Sequence, residues 1–290
     1  MKAVKHLIAL ALTGIILYAI FSRLDLGALA HHFLNLNPGW FLASLLFFVP
    51  VYAGRAILVR RLVSEKLPFR EALSSILAAN ALNIVLPSKG GEFAKAFFLS
   101  RQTAVPLGMC VAAMLLERVL DVVALAVVML VGVSLAPQGE YTGVALGLAG
   151  AVAAAAAVYL SVHRFRAPPR LEGAIRRLPK LGRFIDESRL YLRERLAPGC
   201  FWRIASLSLG LWILHVAQYY CFFRALDYAG PWQLVMAYVP IAIFVGLLPI
   251  TIAGIGTRDV ALIVLFASSA PAELAAGVGL LSHLRYILPG

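Results

Sequence analysis

Ionisable side chains and glycines interrupt strongly apolar parts of this chain at three places. The first, residues 80–99, contains Asn83, Pro87, Lys89, Gly90, Gly91, Glu92 and Lys95. The second lies within a long apolar run and contains Glu117, Arg118 and Asp121. The third contains Pro249, Gly254, Gly256, Arg258 and Asp259. Lysine and arginine beside a glycine-flanked helix N-terminus suit a phosphate, and carboxylates nearby can orient those bases or meet a cationic group.

The composition places these charges in a membrane. Of 290 residues, 61% are hydrophobic and 14% are charged, and the mean hydropathy is +0.87. A soluble domain carries about 25% charged residues, so the chain is predicted to be an all-α polytopic membrane protein. Charged groups and irregular backbone persist at membrane depth only when they are buried in protein or line a wet cavity. The three places are therefore candidate substrate-binding sites.

The basic excess is concentrated in one loop. The formal net charge is +12, and residues 163–198 contain ten Lys or Arg against four acidic residues. Basic loops between apolar spans are typical of the cytoplasmic side of a membrane protein, so we do not expect nucleic-acid binding. Apolar residues recur at helical spacing in this loop: Leu181, Phe184, Ile185, Leu192 and Leu196. The spacing predicts an amphipathic helix on the membrane surface, with its arginines facing away.

The apolar segments predict about six full spans and two re-entrant or broken helical hairpins. The spans are residues 4–22, 38–59, 105–136, 141–162, 201–226 and 271–288. Lys2 and Lys5 place the N-terminus in the cytoplasm. Residues 60–70 and 163–198 are both basic, so the chain between them crosses an even number of times, and residues 71–99 then form a hairpin. Four full crossings satisfy the same parity, but residues 93–99 are too short to span alone.

The hairpin and the segment after residue 248 share one succession of features. Each has an apolar run, a proline hinge (Pro87 or Pro249), paired glycines, and then basic and acidic residues that open the next helix. By the crossing count they enter from opposite sides, which predicts an inverted repeat. The repeats are residues 1–162 and 199–290, joined by the linker 163–198 within a single membrane domain. The interrupted helices of such repeats meet near the midplane and form a transport site.

Two assignments stay open at this level. Arg55 lies one turn from the cytoplasmic end of its span and is expected to snorkel toward the basic loop that follows, with a substrate contact as the alternative. Glu117 and Asp121 share a helix face, and Arg118 is adjacent on the helix surface. They form either a self-neutralising structural group or a surface that meets the hairpin and its lysines.

At these residues the chain resembles the flippase-like membrane family to which the transmembrane region of lysylphosphatidylglycerol synthase belongs. The resemblance covers nearly the whole chain and rests on residues 83–96, 117–121 and 249–259. The chain departs from the family pattern at Lys95, where arginine is frequent, and in the third motif. There Ala253 replaces a usual glycine and Asp259 stands for a usual glutamate.

The resemblance implies that a lipid with a polar or phosphorylated headgroup moves between the leaflets of a bacterial cytoplasmic membrane. Relatives are associated with aminoacylated phosphatidylglycerol, hopanoid and polyprenyl-linked sugar pathways. Lys89, Lys95 and Arg258 would bind the phosphate. The expected partners are the lipid substrate and, as an open alternative, a lipid-modifying enzyme; no cofactor or metal is expected. A Walker A loop is absent from the sequence, so we do not expect ATP hydrolysis.

Two rival functions stay open. A membrane transferase or phosphatase acting on a lipid phosphate needs a nucleophile or a general base. Glu92, Glu117 and His215 are the inward candidates, and no Ser/His/Asp or metal-ligand spacing accompanies them. A noncatalytic partner of a lipid-modifying enzyme is the other rival.

Overall fold

The computed structural model describes residues 2–85, 90–136, 141–161, 178–248, 251 and 254–287. The predicted hinges Pro87 and Pro249 and the candidate ligand Lys89 lie outside these residues. Gly90 opens a helix, but nothing further of its surroundings is described. In the described residues the regular structure is helical and includes no strand, which confirms the predicted all-α class.

The helices are α1 (Lys2–Phe21), α2 (Leu26–Leu34), α3 (Pro38–Leu46), α4 (Phe48–Leu62), α5 (Phe69–Val85), α6 (Gly90–Thr103), α7 (Leu107–Leu135), α8 (Thr142–Ser161), α9 (Pro179–Arg195), α10 (Pro198–Ala225), α11 (Trp232–Leu247), α12 (Thr257–Leu265) and α13 (Ala272–Ile287).

Four helical segments in the described part of the chain are long and apolar enough to cross a membrane: Pro38–Leu62, Leu107–Leu135, Thr142–Ser161 and Pro198–Ala225. A fifth is a bent pair, Leu10–Phe21 with Leu26–Leu34, whose axes differ by 87°. α11 and the apolar part of α13 are shorter. The chain is thus a multi-pass membrane protein with four to five membrane-capable helices, against about six predicted. The predicted last span, residues 271–288, is a helix of 16 residues, below the roughly 20 that a bilayer core requires.

Asp25 and Asn37 cap the N-termini of α2 and α3, at points where polar residues separate apolar segments. The Asp25 carboxylate accepts hydrogen bonds from the backbone N–H groups of Gly27 and Ala28, at 2.8 and 3.1 Å, and so starts α2. The Asn37 side chain starts α3 in the same way, and Pro38 follows it at the first helical position. These caps satisfy N–H groups that have no partner within the helix.

α7 runs through both parts of the core. Its second half, with Leu125 and Met129, packs among apolar residues of α10, α11, α12 and α13. Its first half, with Cys110 and Leu116, packs among residues of α4, α5, α6, α9 and α10. The charged residues of the second motif therefore lie on the helix that joins the two clusters.

A close contact fixes how α7 and α11 are aligned. A β-carbon added at Gly132 would collide with the backbone of Met236 and Ala237. Gly132 lies near the end of α7 and Ala237 near the start of α11, so the helices share an extended interface by running antiparallel. The second half of α11 therefore runs back toward the middle of α7, where Ile243 belongs to the same apolar cluster as Ala124.

α9 is the helix predicted within the basic linker, and much of its inner side contacts protein. The Glu187 carboxylate accepts a hydrogen bond from the Gly108 N–H at the start of α7, at 3.2 Å, and the Ser188 hydroxyl donates to the Gly108 carbonyl at 3.0 Å. The Tyr191 hydroxyl donates to the Leu62 carbonyl at 2.9 Å. The predicted apolar stripe is partly confirmed, since Leu192 is buried but Leu181 is 44% exposed.

We expect Gly132→Ala to destabilise the fold because its methyl group must displace the backbone of α11. Overpacking of this kind costs about 1–3 kcal/mol, so the midpoint of thermal unfolding in detergent should fall. Gly147→Ala in α8 is the matched control, because an added β-carbon there meets no atom within 4 Å. It should leave the midpoint unchanged or raise it, since alanine favours helix over glycine. Equal midpoints for the two variants would contradict the described α7–α11 contact.

Candidate functional site

Six charged residues from three helices form a connected group, which we call the ion-pair cluster: Arg55 of α4, Glu92 and Lys95 of α6, and Glu117, Arg118 and Asp121 of α7. Lys95 Nζ donates to Glu117 Oε2 at 2.8 Å. Arg118 Nη2 donates to Glu92 Oε1 at 2.9 Å. Arg55 Nη1 lies 2.8 Å from each oxygen of Asp121. Three cations thus match three carboxylates, and the cluster has no net formal charge.

Helical spacing in two elements explains why these pairs form together. Glu92 and Lys95 are three residues apart in α6, and Glu117 and Asp121 are four apart in α7, so each pair lies on one helix face. α6 packs against α7, and the two faces meet. The charged face of α7 therefore contacts Glu92 and Lys95 of the hairpin, as predicted. The alternative, an ion pair within α7, is present as well, since Arg118 Nη1 lies 3.4 Å from Asp121 Oδ2.

Asp121 is held from a third direction by α10. Trp212 Nε1 donates to Asp121 Oδ1 at 2.9 Å, and the Ser208 hydroxyl does so at 3.3 Å. The Arg55 guanidinium also lies over the Trp212 ring, 5.6 Å from its centroid. α4 and α10 approach closely here because Gly54 has no β-carbon to collide with Leu211. The carboxylate therefore receives hydrogen bonds from two helices and is buried.

Exposure varies across the cluster. The side chains of Lys95 and Glu117 are 3% and 1% exposed. Arg118 is 40% exposed and its partner Glu92 19%. Oε2 of Glu92 has no hydrogen-bond partner among the described residues. The buried pair thus forms the floor of the cluster, and the Arg118–Glu92 pair forms its accessible edge.

Another candidate residue of the first motif, Asn83, contacts the start of α6. Asn83 of α5 accepts a hydrogen bond from the Gly91 N–H, at 3.0 Å, and so holds the first turn of α6. A β-carbon at Gly91 would collide with the Ala79 carbonyl, so this close approach requires glycine. α5 and α6 therefore pack as a pair on either side of residues 86–89. The contribution of Lys89 lies outside the described residues.

A second polar group, which we call the histidine cluster, joins α12 and α13: Arg258, Asp259 and His283. Arg258 Nη2 lies 2.7 Å from His283 Nδ1, and His283 Nε2 lies 3.1 Å from Asp259 Oδ2. The same carboxylate oxygen accepts the Gly256 N–H at 2.8 Å. Arg258 and Asp259 are 4% and 5% exposed. The cluster is neutral if the imidazole is neutral.

Glycines shape the backbone that presents this cluster. Gly254 and Gly256 have φ of +76° and +90°, a region that L side chains rarely adopt. A β-carbon at Gly254 would also lie 2.5 Å from the Gly246 carbonyl oxygen of α11. Arg258 in turn packs against Gly246.

The structure groups the predicted site residues into these two clusters. The ion-pair cluster includes Glu92, Lys95, Glu117, Arg118 and Asp121, and the histidine cluster includes Arg258 and Asp259. Asn83, Gly91, Gly254 and Gly256 shape the backbone beside them. Pro87, Lys89 and Pro249 lie outside the described residues.

Sequence reasoning missed three contributors. Arg55 was expected to snorkel, but its guanidinium turns to Asp121. Trp212 and His283 were not proposed for the site. His283 could have been proposed, because it is an ionisable residue within an apolar helix. It lies near the end of the last predicted span, where ionisable residues are common and do not indicate a site. Nothing in the sequence pairs Trp212 with Asp121. His215, a candidate base, instead makes edge-to-face ring contacts with Trp212 and Tyr219.

Two comparisons with known proteins agree with this architecture. The sequence model of the family described as lysylphosphatidylglycerol synthase TM region matches residues 6–290. The chain is also similar to a UPF0104 membrane protein of Methanocaldococcus jannaschii. The two are 23% identical over 318 aligned residues, which cover 99% of this chain and 93% of the relative.

Removing one partner of the buried pair should cost more than removing both charges. Lys95→Met removes the hydrogen-bonded partner of the buried Glu117 carboxylate and leaves it Arg55 at 3.5 Å, so the cost should approach the roughly 3–5 kcal/mol of breaking a buried pair. Lys95→Met combined with Glu117→Gln removes the carboxylate charge as well and should recover much of the loss. Unfolding midpoints in detergent measure both effects, with Lys180→Met on the exposed part of α9 as the control. Additive losses in the double variant would contradict direct coupling of the pair.

Proposed function

The chain belongs to the family of the lysylphosphatidylglycerol synthase transmembrane region, and on that basis we propose that it is a lipid flippase or scramblase. Its substrate is a lipid with a phosphorylated or otherwise polar headgroup, of the aminoacyl-phospholipid, hopanoid or polyprenyl-phosphate-linked type. The headgroup passes through a polar site inside the protein while the acyl or prenyl tails remain in the bilayer. Transport, and not lipid chemistry, is the activity.

The observation that carries the proposal is the exposure of Arg118 at mid-span. Arg118 is the twelfth residue of a 29-residue apolar helix, yet 40% of its side chain is exposed. An arginine exposed to hydrocarbon at this depth is costly, by about 2.5–3.5 kcal/mol or more. A water-containing cavity that receives a polar headgroup removes that cost. We therefore assign the edge formed by Arg118 and Glu92 as the headgroup entrance.

The neutral cluster offers partner exchange as a mechanism. A headgroup phosphate can replace Glu92 on Arg118 with charge-assisted hydrogen bonds of the same kind. A headgroup amine can donate to Glu92 Oε2. When one headgroup supplies both a phosphate to Arg118 and an amine to Glu92, each protein charge keeps an opposite partner and no isolated charge is left in a low-dielectric interior. Lys89, Lys95 and Arg258 supply further phosphate contacts, and Glu117, Asp121 and Asp259 orient these bases.

The proposed movement uses the two interrupted elements as an inverted repeat. α5 with α6, and α11 with α12, form the two re-entrant hairpins within a topology of about six full spans. Each element presents glycines beside charged residues at the start of a helix, the arrangement by which interrupted helices of inverted repeats form a shared transport site. Rocking of residues 1–162 against residues 199–290 then exposes the site to either leaflet. The N-terminus and the basic α9 face the cytoplasm in this arrangement, in a bacterial inner membrane.

The histidine cluster gives no support to the rival enzyme reading. In a Ser/His/Asp arrangement the ring nitrogen opposite the aspartate faces a hydroxyl nucleophile. In this chain that nitrogen, Nδ1 of His283, faces the Arg258 guanidinium at 2.7 Å. Glu117, another candidate base, is held by Lys95 and lies 3.5 Å from Arg55. Neither group is placed to activate a nucleophile.

Leaflet transfer in proteoliposomes tests the proposal. We expect protein-dependent transfer of labelled phosphatidylglycerol or lysylphosphatidylglycerol. Glu92→Gln and Arg118→Gln should each lower the rate about tenfold or more, since a hydrogen bond to a charged group is worth about 1.5–3 kcal/mol. Arg61→Gln, at the exposed end of α4, is the matched control and should keep the wild-type rate.

Each outcome separates one hypothesis from another. The enzyme would be favoured if the wild type transfers no lipid but makes a lipid product that Glu92→Gln or Arg118→Gln no longer makes. Transfer in the wild type that both entrance variants retain would overturn the site while keeping the function. A chain that transfers neither phosphatidylglycerol nor lysylphosphatidylglycerol would exclude both as substrates and leave hopanoid and polyprenyl-phosphate lipids for the same assay.

A further inference from the structure

The Asp121 carboxylate has described contacts with four donor groups, and two of these come from α10. Arg55 Nη1 lies 2.8 Å from both carboxylate oxygens, and Trp212 Nε1 donates to Oδ1 at 2.9 Å. The Ser208 hydroxyl donates to the same oxygen at 3.3 Å. Arg118 Nη1 is the fourth group, 3.4 Å from Oδ2. The contact with Arg118 is therefore the longest of the four.

Arg118 lies between two carboxylates, and its contacts with them determine how readily it can bind a phosphate. Its Nη2 donates to Glu92 at 2.9 Å, while the separation from Asp121 is 3.4 Å. Its Nε is buried and has no hydrogen-bond partner among the described residues. An incoming anion competes with both carboxylates for the guanidinium. A closer contact between Arg118 and Asp121 would therefore weaken the binding of that anion.

Trp212 gives Asp121 a neutral donor in place of a second arginine. The indole is 6% exposed and Ser208 is 0% exposed, so both donate within the protein interior. A buried carboxylate that loses a donor is destabilised until another donor replaces it. Arg118 is the described donor that could do so, because Arg55 already contacts both oxygens. The indole N–H thus keeps Asp121 supplied and leaves Arg118 able to change partner.

We infer that Trp212 is a positioning residue for headgroup binding. Its N–H satisfies Asp121, and Arg118 thereby remains available to a phosphodiester. Ser208 contributes in the same way through a longer hydrogen bond. The inference rests on the proposed function for the identity of the ligand, and it adds to that function a determinant of affinity that lies on α10 and acts through Asp121.

Two ring contacts of Trp212 do not use its N–H. The Arg55 guanidinium lies 5.6 Å from the ring centroid, and the His215 ring packs edge-to-face at 5.3 Å. A phenylalanine ring can make contacts of both kinds. Trp212→Phe therefore removes the hydrogen-bond donor and retains an aromatic ring beside Arg55.

Equilibrium binding of dihexanoyl phosphatidylglycerol to the protein in phosphatidylcholine nanodiscs tests the inference, with titration calorimetry as the measurement. Trp212→Phe should weaken binding about tenfold or more, the factor expected when the lipid must first displace a charged hydrogen bond between Arg118 and Asp121. Trp202→Phe is the matched control. Trp202 is 68% exposed on the same helix, so its variant should keep the wild-type affinity within about twofold.

A double-variant cycle separates positioning from a merely structural role. Asp121→Asn removes the charge that competes for Arg118, so this variant should bind the lipid at least as tightly as the wild type. In the Asp121→Asn background, Trp212→Phe should change the affinity by less than about twofold. A distortion caused by the phenylalanine would instead lower the affinity in both backgrounds.

Ser208→Ala provides a second test that does not depend on the folding of the tryptophan variant. It removes the longer hydrogen bond to the same oxygen, so it should weaken binding by a smaller factor, about threefold. That loss should also disappear in the Asp121→Asn background. Ser206→Ala, at an exposed position of α10, is its control and should bind like the wild type.

Three results would overturn the inference. They are wild-type affinity in folded Trp212→Phe, or in Ser208→Ala if the first variant does not fold; equal losses with and without Asp121→Asn; and no binding of the lipid by the wild type. The last would mean that Arg118 is not available to a phosphodiester.

The proposed function fails separately, in the leaflet-transfer assay. If binding shows the expected dependence on Trp212 and Asp121 but no lipid crosses between leaflets, the flippase is wrong and the positioning role stands. If lipid crosses and Trp212→Phe binds it like the wild type, the flippase stands and the positioning role is wrong.

Discussion

Charge matching inside an apolar helical protein is the constraint on which this structure depends. Lys95 and Glu117 are almost fully buried, and each ion would be costly alone. Their contact at 2.8 Å ties α6 to α7, and the contact between Arg55 and Asp121 ties α4 to the same helix. The packing of α4, α6 and α7 brings these groups together, because a buried charge without a partner is costly.

Matching of this kind both stabilises the fold and prepares it for a charged ligand. A headgroup that carries both a phosphate and an amine can exchange with an internal ion pair without building up charge, because the phosphate meets a cation of the cluster while the amine meets a carboxylate. The exchange is easiest where exposure is greatest, at Arg118 and Glu92.

Close backbone approaches position the two clusters. Gly132 lets α11 lie against α7, and Gly246 lets Arg258 lie against α11. Gly54 does the same for α4 and α10 beside Arg55. A β-carbon at Gly132 would collide with the backbone of α11, whereas one at Gly54 would collide with the Leu211 side chain. The charged contacts therefore depend on glycines that are not themselves part of the clusters.

Much of the site was predictable from residue type and spacing. Glu92 and Lys95 were identified because a bilayer penalises charge, and Glu117 and Asp121 were assigned to one face by helical periodicity. Partners from distant helices were not predictable in this way. Arg55 and Trp212 reach Asp121 across 66 and 91 residues of sequence, and His283 reaches Asp259 across 24.

The sequence by itself determined that this is a helical membrane protein, which segments are apolar enough to form long helices, and which polar residues interrupt them. Those properties follow from local periodicity and from the cost of charge in hydrocarbon. Only the tertiary structure decided which cation meets which carboxylate, that Arg55 turns inward, and that His283 lies between Arg258 and Asp259. Such pairings depend on the rotation and alignment of whole helices, which are set by packing over many small contacts and not by any local pattern.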